Sequence, residues 1–158
     1  MLSRIGSAKA VGGLSARLVS VIAKRNYSIA APAPIVYTKK FQEMLDLAKE
    51  QVDSVTIEEV DALVAQGAVT LDIRDPDEHE VDHLKNGLHL SRGKLEMLVE
   101  KLIPDLDTKI LCYCNANHRG ALSAASLKSM GYLNANFIAG GLRGYRAQAA
   151  KGNNMMLL

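Results

Sequence analysis

Two short apolar runs organise the chain. Ala68-Val69-Thr70-Leu71-Asp72-Ile73 and Lys109-Ile110-Leu111-Cys112-Tyr113 are nearly continuous in apolar character, the pattern of parallel strands covered on both faces. Around them the spacing turns helical. Phe41, Met44, Leu45 and Ala48 make an apolar stripe on a helix over 38–51 that Thr38 can cap. After the extended piece Val55-Thr56-Ile57 comes a helix over 57–66, with Thr56 and Glu59 spaced as a capping box. Val60, Leu63 and Val64 face inward there, and Gly67 supplies the stop. Residues 76–82 form a short acidic turn or helix after the Arg74-Asp75-Pro76 loop, and Leu88-His89-Leu90 a brief strand. A helix over 93–102 carries Leu95, Leu98, Val99 and Leu102 and is limited by Pro104. Beyond the second run, a helix over about 120–129 stops at Gly131, and Tyr132 to Phe137 approach another strand. Gly140-Gly141 opens a last helix over 141–150, with Leu142 and Tyr145 inward. Alternating short strands and helices imply the α/β class, a mostly parallel central sheet flanked by helices.

Composition narrows the picture. The 158 residues suffice for one ordinary core, and with 48% hydrophobic and 23% charged residues most of the chain should fold. Two cysteines, Cys112 and Cys114, stand one residue apart. That excludes a disulfide-rich secreted scaffold and favours a reducing compartment. No apolar stretch approaches the roughly 18 residues of a membrane span. The four histidines, His79, His83, His89 and His118, form no H-E-x-x-H pair, and no C-x-x-C hook exists, so neither a metal nor a cofactor is expected.

The net charge of +2 conceals two electrostatic objects. Arg4, Lys9, Arg17, Lys24 and Arg25 lie in residues 1–27, which hold no acidic residue. Of 19 basic residues, 14 therefore remain from position 28 onward, against 17 acidic ones. A mildly acidic body argues against nucleic acid as a partner. The basic, serine-containing first segment, with Leu14, Leu18, Val21 and Ile22 at helical spacing, fits a mitochondrial transit peptide. Arg25-Asn26-Tyr27-Ser28 resembles the cleavage pattern of matrix-targeted precursors, with the cut after Tyr27, which makes the matrix the expected location. A disordered basic arm or a short helix packed on the body is the alternative. Residues 28–37, with Pro32 and Pro34, are expected as a linker, and 151–158 as an apolar tail.

The candidate chemistry sits after the second buried run. In parallel sheets, ligands bind beyond the carboxyl ends of the strands. Cys114 falls there, just before a helix whose unpaired N–H groups and positive dipole end converge on the loop. A thiol so placed is expected to be exposed and ionised, its pKa below the free value of about 8.5. Arg119 adds a positive fork suited to an oxyanion or a carboxylate, and His118 a charge or a hydrogen bond. Phosphate-ester cleavage, arsenate reduction and sulfur transfer all fit a nucleophilic cysteine in an anion cradle. Cys112, inside the run, reads as a small buried hydrophobe. As residue i−2 it shares a face with Cys114, so a resolving role is the alternative.

Five stretches, in order, resemble the rhodanese (sulfurtransferase) family over residues about 52–150. Leu71-Asp72-Ile73-Arg74-Asp75-Pro76-Asp77-Glu78-His79 resembles its LIDVREPEE signature, His83 to Leu88 its GHIPGA stretch, and His89-Leu90-Ser91-Arg92-Gly93 the NIPRG that follows. Cys112-Tyr113-Cys114 with Arg119 resembles the active-site loop, a cysteine, four residues and an arginine. Gly131-Tyr132 and Gly140-Gly141-Leu142 to Tyr145 resemble the closing segment. The resemblance implies a rhodanese-like three-layer sandwich in which Cys114 takes a sulfane sulfur from a donor such as thiosulfate. Cys114 then passes it as a persulfide to cyanide, a thiol or a protein cysteine. It further implies that Asn115, Ala116, Asn117, His118 and Gly120 form the anion-binding loop and that Arg119 holds it closed. Asp72 and Arg74 are implied as supports, and His83 as the brace of a turn. Departures include Asn117, near a position where relatives carry glycine and which left-handed backbone would suit, and Tyr145 in place of tryptophan. Phosphatases of the related cradle type put one residue more between cysteine and arginine, which favours sulfur chemistry here. A sulfur-relay or protein-binding module fits the same residues.

Overall fold

The computed structural model describes residues 35–151. The expected transit peptide, most of the linker and the tail from 152 onward lie outside them. The elements are α1 (Lys39–Gln51), β1 (Ser54–Val55), α2 (Ile57–Ala65), β2 (Val69–Asp72), α3 (Pro76–Val81) and β3 (Leu88–His89). There follow a short 3-10 turn (Arg92–Lys94), α4 (Leu95–Leu102), β4 (Ile110–Tyr113), α5 (His118–Ser129), β5 (Ala135–Ile138) and α6 (Gly141–Ala149). The five strands lie in the order β1-β5-β4-β2-β3, and every pairing is parallel. Both apolar runs thus occupy interior strands, in register Leu71 to Cys112 and Asp72 to Tyr113.

Strand alternation distributes β4 between two cores. Ile110 and Cys112 join one cluster with Leu45 and Ala48 of α1, Leu95 and Val99 of α4, and Ala121, Ala124 and Leu127 of α5. Leu111 and Tyr113 join the other, with Val60 of α2, Leu84, and Leu142 and Tyr145 of α6. The result is an α/β three-layer sandwich with its parallel sheet in the middle. Tyr113 also accepts a hydrogen bond from the Leu84 N–H at its hydroxyl (3.1 Å), tying the segment after α3 to the central strand.

Local signals explain the helix starts. Thr38 accepts from the Phe41 N–H at 3.2 Å, and Glu59 folds back on the Thr56 N–H at 2.9 Å. Asp75 and Glu78 form a second capping box, with proline in the first turn of α3. Three expectations need correction. Of the apolar residues assigned to the helices over 38–51 and 93–102, Met44, Leu98 and Leu102 are exposed, because each helix buries a stripe narrower than its apolar face. Helix α5 begins at His118, two residues before the expected start, so His118 and Arg119 belong to its first turn. Asn117, its N-cap, has φ −123° and needs no left-handed backbone.

Candidate active site

Helix α6 shapes the loop after β4. The first N–H groups of a helix have no partner inside it. Here the Leu142 N–H donates to the Cys114 carbonyl (2.8 Å) and the Arg143 N–H to the Asn115 carbonyl (3.0 Å). The Asn117 side chain accepts from the Gly140 N–H at 2.7 Å instead of capping α5. With those carbonyls drawn to α6, the N–H groups of Asn115 to Gly120 donate to no acceptor among the described residues. Six consecutive free donors flank the cysteine. Buried Gly120 lets α5 lie against β4: a side chain there would begin 3.3 Å from the Cys112 carbonyl.

Cys114 is 3% exposed and belongs to the same apolar cluster as Cys112. This corrects the expectation of an exposed thiol. Residues two apart on an extended chain share a face, and this one is covered by helices. The residue as a whole is almost entirely withdrawn from solvent.

A charged network braces the active-site loop. Arg74, 1% exposed, donates to both oxygens of Asp72 (Nε 3.0 Å, NH2 2.6 Å), to the Asp82 carbonyl (2.6 Å) and to Asn115 Oδ1 (3.3 Å). Asp72 is fully buried and also accepts from the Arg74 N–H at 3.0 Å. Burial pushes its carboxyl upward, but the bonds from Arg74 and His79 outweigh this and leave it below its ordinary value. Arg119 does not present a free fork. Its two terminal nitrogens pair with both oxygens of Glu78, at 2.6 and 2.8 Å, and Asn115 adds a third contact to Glu78 at 2.6 Å. The Arg119 hydrogen bonds hold the Glu78 carboxyl below its usual range. Arg146 completes the network through two 2.7 Å bonds to Asp82.

Glu78 was not singled out by sequence, since an acidic residue in a first helical turn reads as a cap; its partner lies 41 positions on. The sequence also missed Tyr37. Its ring meets His118 edge-on at 4.6 Å while stacking on Phe41 at 4.9 Å, so the segment before the sheet reaches the active-site loop. His83 bonds the His79 carbonyl at 3.0 Å. Its ring stacks on His79, which stacks in turn on His89, at 4.1 and 4.2 Å. Among the described residues no group of histidines, cysteines and carboxylates could hold a metal, and no helix is long and apolar enough to cross a membrane.

Cys112 is wholly buried, and desolvation pushes its thiol up to about 12 despite the pull of Arg92. Accordingly Cys112→Ala should leave turnover and sensitivity to oxidants unchanged, as measured before and after peroxide. A loss of peroxide protection in the variant would mean that Cys112 resolves the oxidised sulfur.

Residues 56–148 match the model of the rhodanese-like domain. Over 100 residues the chain is 31% identical to the thiosulfate sulfurtransferase GlpE of Pseudomonas fluorescens Pf-5, covering 61% of this chain and 90% of the relative. Among solved structures, a protein of Rhodopseudomonas palustris described as of unknown function, possible tyrosine phosphatase, superposes with a TM-score of 0.65 at 28% identity. The superposition covers 73% of this chain and 96% of that one. A thiosulfate sulfurtransferase of Pseudomonas aeruginosa gives 0.61 at 27% identity, over 70% of this chain and 22% of that much longer one. With the family model matching more than half of its length, the chain belongs to the rhodanese-like family.

Proposed function

We propose that the protein is a sulfurtransferase that carries sulfane sulfur on Cys114. One observation carries this reading: a strand-end cysteine is followed by six N–H groups that have no acceptor among the described residues. Such donors favour an anionic sulfur, and they are in place before the reaction begins. The Cys114 thiolate attacks the outer sulfur of thiosulfate. The sulfur–sulfur bond of the donor breaks, and sulfite leaves with the electron pair. The persulfide, now a terminal anion within reach of the free amides, gives its outer sulfur to cyanide or a thiolate and restores the thiolate. Neither step requires a proton from a general acid, because each leaving group departs as a stable anion.

Arg119, Glu78, Asn115 and Arg74 position the loop in this scheme, and the nearly buried thiol keeps the persulfide from bulk oxidants. The four-residue spacing between Cys114 and Arg119 favours sulfur over a bulkier phosphoryl group. Thiocyanate formation from thiosulfate and cyanide should be readily measured in the wild type and fall to background in Cys114→Ser. Hydrolysis of an aryl phosphate that depends on Cys114, without thiocyanate formation, would assign the site to phosphoryl chemistry instead.

A further inference from the structure

The cradle has free amides but little free positive charge. Both terminal nitrogens of Arg119 are occupied by Glu78, whose oxygens also take bonds from Asn115 Nδ2 (2.6 Å) and the Asp75 N–H (3.3 Å). Asp75 stands 3.7 Å from the same guanidinium. Across the network, Arg74, Arg119 and Arg146 bring three positive charges against the four negative charges of Asp72, Asp75, Glu78 and Asp82, a balance of −1. A dianion arriving at the loop meets a cation whose fork is already filled by a carboxylate.

We infer that Glu78 is a specificity-determining residue that favours singly charged sulfane donors over the thiosulfate dianion. The inference rests on the sulfurtransferase reading and deepens it by naming the donor's charge class. With thiosulfate, thiolate and donor together carry three negative charges through the transition state, since sulfite leaves with the electron pair of the broken sulfur–sulfur bond. Methanethiosulfonate offers the same outer sulfur on the same sulfonyl centre, with a methyl group in place of one anionic oxygen. Attack by the thiolate forms the same persulfide and expels methanesulfinate with the electron pair, carrying two negative charges in all. The two donors differ chiefly by one charge, and the Glu78 carboxylate acts on that difference.

Because Glu78 also anchors Asn115 and Arg119, its replacement can slow the enzyme for purely structural reasons. The informative quantity is therefore the ratio of kcat/KM for methanethiosulfonate to kcat/KM for thiosulfate, in which a displaced loop cancels to first order. The wild type should favour methanethiosulfonate. In Glu78→Gln the ratio should move toward thiosulfate by roughly tenfold, whereas Glu78→Asp, which keeps the charge, should hold the wild-type ratio. Two active donors with a ratio unchanged to within about twofold in Glu78→Gln would overturn the assignment of Glu78 and leave the sulfurtransferase reading standing. Wild-type protein that accepts sulfur from neither donor would overturn both.

Discussion

Asp72→Ala should lower the stability of the fold by about 3–5 kcal/mol, read as a shift in the urea midpoint at constant slope. The variant leaves the Arg74 guanidinium, 1% exposed, without the carboxylate that takes three of its hydrogen bonds. A buried charge stripped of its partner is far costlier than the pair was favourable. Arg74→Met should cost a similar amount by removing the guanidinium from fully buried Asp72, whose side chain then keeps His79, the Tyr113 hydroxyl and the backbone N–H of residue 74 but no permanent positive charge. The double variant Asp72→Leu with Arg74→Met removes both charges and should recover much of the loss. Acid adds a check with a definite sign. The Asp72 carboxyl titrates below its ordinary value in the fold. Its contribution is therefore complete above about pH 4 and disappears as pH falls through the lowered value, a decline that Asp72→Asn should flatten. A single-variant cost under about 1 kcal/mol would show that the pair is more hydrated than its burial implies.

Gly141→Ala should depress sulfur transfer by about a hundredfold or more and destabilise the fold as well. Gly141 has φ +52°, and a side chain there would begin 2.2 Å from the Cys114 carbonyl and 2.4 Å from that of Ala116. Both neighbours are backbone of the active-site loop, so the loop itself must move. Its movement breaks the bonds from Leu142 and Arg143 that turn the loop's carbonyls away from the free amides. Gly140→Ala is the control. Its φ of +78° makes any side chain strained, but the nearest atom lies 3.5 Å away, so its loss of activity should be much smaller. Equal activity losses in the two variants would show that backbone strain, not displacement of the loop, governs the site.

The sequence made the sheet legible because Leu71 and Leu111 are buried on interior strands, where an apolar run has no other use. Thr56 with Glu59 was legible for a similar reason: both partners of a capping box lie within one helical turn. Asp72 and Arg74, two residues apart, could be named as supports from the family signature. Glu78 with Arg119, and Tyr37 with His118, could not, since each pair joins elements far apart in the sequence and neither residue type announces a distant partner. The burial of Cys114 was hidden likewise. Position at a strand end places a thiol near free amides, but its exposure is decided by the helices laid over that face. Arg119 could be read as a fork for an oxyanion or a carboxylate, but only the fold shows that Glu78 fills it.

Intact-mass measurement of the full chain after incubation with thiosulfate examines the sulfur-carrying role of Cys114 without depending on turnover. The mass should rise by one sulfur atom, fall back on addition of cyanide, and remain unchanged throughout in Cys114→Ser. A sulfur gain that persists in Cys114→Ser, or no gain in the wild type with either thiosulfate or methanethiosulfonate, would contradict the account.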